Sequence, residues 1–215
     1  DRRADSDSLE AFDAAARKLG MRTVIAWNYS ESFDHDVRLG RSFYSLTKDP
    51  VLDSAAVSAL SAFVISEASR YPDPARAIFY TEDRSDVTAE GLGRLEDNMA
   101  MLSFTLPQGH PMIAFGQDTT YDYKPLTTIR HQRPSLRQGD FTILEDQWVP
   151  DGVFAFTRSL KKEQVLVMAN FTDTYLTCAL PEEMTWEDAV SGEALEDELI
   201  CPVLEPWGWR ILVRR

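Results

Sequence analysis

The sequence has few cysteines, no long hydrophobic run and no excess of basic residues. Its 215 residues include two cysteines, Cys178 and Cys201, which lack the short spacing of a zinc site or a redox motif. We expect two reduced, packed thiols rather than a disulfide, and reduced thiols favour the cytoplasm over secretion. No apolar run approaches the ~20 residues that span a bilayer, and the N-terminus lacks the apolar core of a signal peptide. The sequence therefore predicts a soluble chain without a membrane partner.

The charge balance also argues against nucleic acids as partners. The chain carries 22 basic and 35 acidic residues, a net charge of −13, which repels the phosphate backbone of nucleic acids. Hydrophobic residues make up 44% of the chain, enough for a buried core, and no low-complexity tract indicates disorder. We expect a globular protein of two units that does not bind nucleic acid.

Helix and strand patterns alternate in the first part of the chain. A helical spacing of apolar residues ends at Gly20 and is followed at once by an apolar, β-branched run, which is typical of a parallel sheet. The same alternation recurs up to Pro134. The patterns predict an α/β unit with helices at about 8–20, 51–71, 90–104 and 123–132, and strands at about 22–28, 41–46, 76–81 and 111–115.

Strand patterns alone fill the rest of the chain. Six short runs follow Pro134, separated by Asp-Gly, Lys-Lys-Glu and proline-containing turns, as in an antiparallel sandwich. The predicted runs are GDFTIL, GVFAFTRS, QVLVMANF, TYLTCAL, ELICPVL and GWRILVR. The sequence thus predicts two domains, an α/β domain over 1–134 and an all-β domain over 135–215.

An ordered set of motifs covers the chain from about Glu90 to Arg215. It consists of MLSFTLPQGHPMIAFGQD, IRHQRPSLRQGDFTIL, GVFAFTRS and VLVMANFT. In this order the motifs resemble the α-amylase family of glycoside hydrolases, from the eighth barrel strand to the C-terminal sandwich. The resemblance implies a partial (β/α) barrel of TIM type over 1–134 and a hydrolase or transglycosylase of α-glucans or oligosaccharides.

The resemblance also assigns a place to the run AIFYTEDRSD. It falls where the family's seventh strand carries Asn-His-Asp, so that Thr81, Glu82 and Asp83 stand at those positions. Asp83 would then be the transition-state stabiliser. A shift by one residue places Arg84 there instead. A solvated loop with an internal ion pair remains the alternative for this segment.

The catalytic set implied by the resemblance is incomplete. If TVIAWNYSES is the fifth strand, Trp27 stands where the family has its general acid, and Glu31 is the nearest carboxylate. The overlapping run GMRTVIAW resembles the third strand, but we prefer the fifth, because helix, strand, short strand and helix then follow in barrel order. No segment resembles the fourth strand, which carries the nucleophile of the retaining reaction. We therefore keep two hypotheses: an active glycosidase, and a catalytically inactive carbohydrate-binding or scaffold protein that pairs with a partner chain.

Aromatic and polar residues near the strand ends are the candidate sugar contacts. Trp27, Tyr29 and Tyr80 are suited to stack on a pyranose, while Glu82 and Arg84 are suited to bind its hydroxyl groups. Core packing is the alternative for each aromatic residue. The substrate expected on these grounds is an α-linked oligosaccharide or glucan.

The histidines do not form a metal motif. His35, His110 and His131 are scattered, which favours structural roles. Asp34 and Asp36 flank His35, but adjacent residues of an extended strand point to opposite sides. The sequence predicts neither a metal nor a cofactor.

The number of predicted parallel strands has a further consequence. Closing a TIM-type barrel takes eight strands, and only four are predicted here. An open half-barrel exposes apolar side chains and strand edges, which favour pairing with another chain. We expect either self-association or a missing N-terminal half, encoded upstream of a sequence that does not begin with Met.

Overall fold

Two groups of strands pack around a central helix in the computed structural model of the protein. The structure describes residues 6–21, 24–25, 34–38, 57, 61–62, 65, 77–80, 93–107, 109–113, 116–119, 121–144, 149–180, 184–195 and 202–215.

The α-helices lie close to their predicted positions. Within the described residues they are α1 (Ser6–Lys18), α2 (Glu96–Thr105), α3 (Lys124–Gln132) and α4 (Ser135–Gln138). Gly20 follows α1 with a φ of +72°, a left-handed conformation that glycine adopts without strain. Residues 57, 61, 62 and 65 are also helical and fall inside the predicted helix at 51–71. The short helix α4 was not predicted.

The first group of strands forms a parallel sheet. Its strands are β1 (Val24–Ile25), β2 (Asp34–Arg38), β3 (Ala77–Tyr80) and β4 (Gly109–Pro111), in the order β1-β2-β3-β4. The described residues do not close this sheet into a barrel.

Two of the four parallel strands differ from their predicted positions. The structure has a strand at 34–38, which was not predicted, whereas the predicted strand at 41–46 lies outside the described residues. The fourth strand was predicted at 111–115, but β4 begins at Gly109 and ends at Pro111. The last apolar residue of the predicted strand, Phe115, lies outside the described residues.

The second group of strands is antiparallel and makes up most of the described β-structure. Six strands form one sheet in the order β10-β9-β12-β7-β6-β5, and β11 pairs with β8 in a second sheet. Their bounds are β5 (Asp140–Ile143), β6 (Val153–Leu160), β7 (Glu163–Asn170), β8 (Leu176–Thr177), β9 (Trp186–Asp188), β10 (Ala194–Leu195), β11 (Val203–Leu204) and β12 (Trp209–Arg214). The predicted all-β character of this part is confirmed, with β9 and β10 as additional strands.

Helix α2 is buried beyond its first turn, between the two groups of strands. Its residues from Asn98 to Thr105 are all buried, whereas Asp97 in the first turn is exposed. It contacts β3 and β4 as well as β7 and β12. One continuous core therefore includes side chains of the parallel sheet, of α2 and of the antiparallel sheet: Phe79, Met99, Leu102, Phe104, Phe156, Val167 and Ile211.

The six-stranded sheet is buried on both faces. Phe154 and Phe156 point into the core around α2, whereas Val153 and Ala155 belong to a second core, as the alternation along a strand requires. Cys178 completes this second core and is 1% exposed. Cys201 lies outside the described residues, so the redox state of the two thiols remains a prediction.

Candidate functional site

The sequence-predicted site residues follow the ends of parallel strands. Tyr80 is the last residue of β3 and pairs in register with Arg38 of β2. The other predicted residues lie outside the described residues, and their roles remain predictions: Trp27, Tyr29, Glu31, Glu82, Asp83 and Arg84.

All four strand ends point to the same edge of the sheet. Because the strands are parallel, β1 ends at Ile25 and β3 ends at Tyr80 on one side, with β2 between them. Strands two positions apart are separated by roughly 9.6 Å. Both strands thus end at the same edge of the sheet, and barrel enzymes carry their active sites at the C-terminal ends of their strands.

The two faces of the parallel sheet differ in character. Phe79 is 3% exposed and packs into the core around α2, whereas His110 of β4 is exposed. The register aligns Asp36, Ile78 and His110 across β2, β3 and β4, in alternation with Phe79. His110, which is exposed and one position out of alternation with Phe79, was not predicted as a site residue.

A tight turn follows β4 near the same edge. Gly116 has a φ of +91°, where any larger residue would be strained, and the next residue, Gln117, is 2% exposed. Gly116 and Gln117 belong to the motif AFGQD, and the left-handed conformation of Gly116 explains why this motif has a glycine there.

Arg130 of α3 holds the beginning of β4. Its Nη2 donates a hydrogen bond to the carbonyl oxygen of Gly109 at 2.6 Å, and its Nη1 donates to the carbonyl oxygens of Phe104 and Leu136, the latter at 3.1 Å. Burial, with a smaller contribution from the charge of Arg137, lowers the pKa of Arg130 to about 10. The arginine of the IRHQRPSLRQG motif thus joins α2, α4 and β4 through backbone carbonyls.

Two glycines of the same motifs allow close approaches. A Cβ atom on Gly109 would lie 2.0 Å from Cδ2 of Phe79, so the ring occupies the space that a side chain would need. A Cβ atom on Gly139 would lie 2.5 Å from the carbonyl oxygen of Ser135. Both contacts are shorter than van der Waals packing permits, which explains glycine at these two positions.

Aromatic and charged residues gather near the start of α2. The Tyr121 hydroxyl hydrogen-bonds to Asp97, and burial together with the Asp97 carboxylate raises the pKa of Tyr121 above its ordinary value. The Arg94 guanidinium lies 5.3 Å from the centroid of the Trp207 ring, a cation–π contact. Trp207 has a φ of +59°, a strained value for a bulky residue. No sequence pattern indicated this cluster.

No metal or membrane site is evident in the described part of the chain. Its His, Cys, Asp and Glu residues form no group of three or more that is arranged to hold a metal ion. None of the described helices is long and apolar enough to cross a membrane.

Comparison with known protein families gives a match in the antiparallel part. Residues 143–211 match the model of the maltogenic amylase C-terminal domain. No match was found among curated protein sequences.

Solved structures share the fold over most of the chain. A pullulanase from Anoxybacillus sp. LM18-11 matches 98% of this chain and 41% of its own, with a TM-score of 0.74 at 13% identity. An α-amylase from H. orenii matches 100% of this chain and 58% of its own, with a TM-score of 0.66 at 14% identity. An Anoxybacillus α-amylase matches 85% of this chain and 52% of its own, with a TM-score of 0.60 at 15% identity.

These structures are longer than the chain, which spans about half of their length. Because the identities are low, the solved structures show a likeness in fold alone, whereas the family model shows a likeness in sequence over residues 143–211. Together they confirm the resemblance of this chain to the α-amylase family of glycoside hydrolases, in sequence over its C-terminal strands and in fold over most of its length.

Proposed function

We propose that this chain forms part of an α-amylase-like glycoside hydrolase or transglycosylase that acts on α-linked glucans or oligosaccharides. The main support is the combination of a parallel sheet and an antiparallel C-terminal part in one fold, with a TM-score of 0.74 over 98% of the chain to a pullulanase. In this proposal residues 1–134 are the C-terminal half of a (β/α) barrel, and residues 135–215 are a C-terminal β-sandwich domain.

The strand order supports a barrel rather than an open doubly wound sheet. In a doubly wound sheet the order reverses at a switch point, where such folds bind their ligands. Here each strand pairs with the next along the chain, from β1 to β4, and every pair is parallel. Helix α2 covers one face, as the helices outside a barrel do.

The proposed substrate site lies at the edge where the parallel strands end. Trp27 and Tyr29 follow β1 and would stack on a glucose ring, while Glu82 and Arg84 follow β3 and would bind its hydroxyl groups. Tyr80 closes β3 at the same edge. A glucan bound there would contact residues from two strand ends at once.

The proposed chemistry requires a nucleophile from outside this chain. A retaining glycosidase uses two carboxyl groups about 5–5.5 Å apart, one as nucleophile and one as acid and base. Asp83 is assigned the stabilising role and Glu31 that of a candidate acid. Neither replaces a nucleophile, which we assign to a strand outside these 215 residues.

A second candidate function is carbohydrate binding without catalysis. It is favoured by Trp27, which stands at the position that the resemblance gives to the general acid, and by Glu82, which stands at that of the histidine. In this alternative the chain binds glucan or pairs with a partner chain as a scaffold.

Exposed apolar residues in and just after helix α1 support association with another chain under either candidate function. Phe12 of α1 is 63% exposed, and Leu19 and Met21, just beyond the helix, are 77% and 61% exposed. Large exposed apolar side chains in one short stretch of chain indicate a surface that another element covers. We propose that an N-terminal half-barrel covers it, and that a second copy of the chain does so when this half is absent.

Activity and binding measurements separate the candidates. The chain alone is incubated with maltoheptaose, and the release of reducing ends is followed; we expect no release. The same assay is repeated with the preceding segment of the gene joined to Asp1. Hydrolysis by the joined protein that is lost in Asp83→Asn supports the enzyme, whereas binding without hydrolysis supports the second candidate. Hydrolysis by the chain alone would contradict the proposed division of the catalytic residues.

A further inference from the structure

The turn at 205–208, just before β12, has a bulky residue at a position that favours glycine. The N–H of Gly208 donates a hydrogen bond to the carbonyl oxygen of Glu205 at 2.9 Å, Pro206 is the second residue of the turn, and Trp207 is the third, with a φ of +59°. Proline followed by a positive φ is the geometry of a type II turn, whose third residue is usually glycine or asparagine. The indole ring of Trp207 is therefore held on a strained backbone, and strain of this kind points to a contact that the ring makes.

The Trp207 ring contacts the segment that leads into α2. The guanidinium carbon of Arg94 lies 5.3 Å from the centroid of this ring, and Arg94 belongs to the 3₁₀ turn Gly93–Leu95 directly before α2. A cation over the face of a tryptophan is attracted by the negative charge of the ring face. The ring therefore joins the antiparallel part of the chain to the beginning of α2.

Asn170 of β7 joins the same turn to the same helix. Its Nδ2 donates a hydrogen bond to the carbonyl oxygen of Glu205, and its backbone N–H donates to that of Gly208, both at 2.9 Å. The Nδ2 of Asn98, in the first turn of α2, donates to the carbonyl oxygen of Asn170 at 3.0 Å. Both asparagines are 0% exposed, so water does not compete for these hydrogen bonds. The turn at 205–208 is thus built on a buried hydrogen-bond network that also reaches α2.

The beginning of α2 faces the edge where the parallel strands end. Helix α2 lies in sequence between β3 and β4, which are parallel neighbours, so it runs back from the end of β3 towards the start of β4. The sequence between β3 and α2 contains Glu82 and Arg84, the proposed contacts to glucan hydroxyl groups. The position of the first turn of α2 therefore fixes one of the two ends of this segment.

We propose that Arg94 and Trp207 are positioning residues, which hold the beginning of α2 and through it the segment that carries the proposed glucan contacts. The contact between the cation and the ring, and not only the apolar packing of the ring, performs this role. The effect on glucan binding rests on the function proposed above, whereas the effect on α2 does not.

Hydrogen exchange of the full chain, followed residue by residue by NMR, tests the effect on α2. Arg94→Met keeps a long side chain at this exposed position but removes the cation, so the amides of Met99 and Ala100 near the start of α2 should exchange about two- to fivefold faster. Arg94→Lys keeps a cation over the ring and should restore the original rates. The amide of Leu106, which bonds to the carbonyl oxygen of Leu102 at the other end of α2, is the internal reference and should not change.

Variants of Trp207 test the ring itself. Trp207→Gly suits the positive φ of the turn but removes the ring, so it should also accelerate exchange at Met99 and Ala100, whereas Trp207→Phe keeps an aromatic face and should not. Arg214→Met removes another exposed arginine, from the far end of β12, and is the matched control that should leave all rates unchanged. Original rates in Arg94→Met, or an equal acceleration at Leu106 and Met99, would overturn the inference.

Titration of the same variants with maltoheptaose tests the effect on the glucan site. Arg94→Met should weaken binding about two- to fivefold, while Arg94→Lys and Arg214→Met should bind as the original chain does. Unchanged affinity in an Arg94→Met variant whose exchange is faster would overturn the positioning role. Failure of the original chain to bind maltoheptaose would contradict the proposed function, and the exchange rates decide in either case whether Arg94 and Trp207 hold α2.

Discussion

Arg158 is a buried cation that donates hydrogen bonds to backbone carbonyl oxygens. We expect its replacement by methionine to change the free energy of unfolding less than the loss of these hydrogen bonds alone would. The side chain is 1% exposed and donates hydrogen bonds to the carbonyl oxygens of Thr105 at 2.8 Å and Gly139 at 3.0 Å. Its Nε has no acceptor among the described residues. Burial, followed by the charge of Arg130, lowers the pKa of Arg158 from 12.5 to about 10.

Arg158 makes two opposing contributions of similar size to the free energy of unfolding: the cost of burying its charge and the gain from its hydrogen bonds. A lowering of the pKa of this size corresponds to a burial cost of about 3 kcal/mol for the charged form. The two charge-assisted hydrogen bonds contribute about 1.5–3 kcal/mol each. Arg158→Met removes both effects, so we expect it to lower the free energy of unfolding by only about 0–3 kcal/mol.

Arg158→Lys should behave differently although it keeps the charge. A lysine ammonium is more strongly hydrated than a guanidinium and lacks the fork that reaches two carbonyls, so the burial cost stays while at least one hydrogen bond is lost. Burial lowers the pKa of such a lysine. Between this lowered pKa and the ordinary value of about 10.4, the unfolded chain binds more protons than the folded one, so stability rises with pH.

Urea unfolding at pH 7 and pH 9, followed by circular dichroism, measures both variants. We expect the deficit of Arg158→Lys relative to the original chain to shrink at pH 9, and that of Arg158→Met to stay constant. Lys162→Met, an exposed turn position, is the control and should change the free energy of unfolding by at most about 0.5 kcal/mol. A Lys variant as stable as the original chain at pH 7 would refute the reasoning.

Three further predictions follow from other contacts. The raised pKa of Tyr121 means that its neutral form stabilises the fold below pH 10 and that this contribution is lost at higher pH. In an absorbance titration, the original chain and Tyr121→Phe should therefore show the same number of tyrosines ionising near pH 10, although the original chain has one tyrosine more. Gly109→Ala should lower the free energy of unfolding by about 1–3 kcal/mol in urea titrations, because its Cβ would meet Phe79, and an unchanged midpoint would contradict this contact. Phe12→Ser should weaken self-association in sedimentation equilibrium, and a chain that is monomeric at every concentration would contradict the proposed surface.

The long antiparallel strands were predictable because their sequence pattern is strong. β6 and β7 are eight residues each and rich in apolar residues, and both lie where the pattern placed them. β9 and β10 have three and two residues, and β9 contains Glu187 and Asp188, so no period could identify them. Short strands at the side of a sheet depend on their neighbours rather than on their own sequence.

The parallel sheet was harder to predict because strands of parallel sheets are usually buried on both faces and are therefore apolar throughout, which is not true of all the strands here. β2 has the sequence DHDVR, and its polar residues do not have the apolar pattern expected of a parallel strand. The exposed His110 on β4 indicates why: the face opposite α2 is not a purely apolar one. The more apolar run at 41–46 was therefore predicted as the strand instead.

The candidate site was predictable from the sequence only as a set of strand ends. Tyr80 lies at the end of a parallel strand, as predicted, and the motifs indicated the family. The role of Arg130 was not predictable, because its three carbonyl partners come from Phe104, Gly109 and Leu136, which are separate in the sequence. Contacts of this kind depend on how the elements pack and not on any local pattern.

The central claim is that this chain supplies an α-glucan-binding surface at the ends of its parallel strands. Isothermal titration of the purified chain with maltoheptaose tests it, with cellohexaose as the β-linked control and Trp27→Ala as the variant. We predict that maltoheptaose binds, that cellohexaose does not, and that Trp27→Ala weakens maltoheptaose at least tenfold while the variant remains folded. Absence of binding by the original chain, or equal affinity for the two oligosaccharides, would contradict the account.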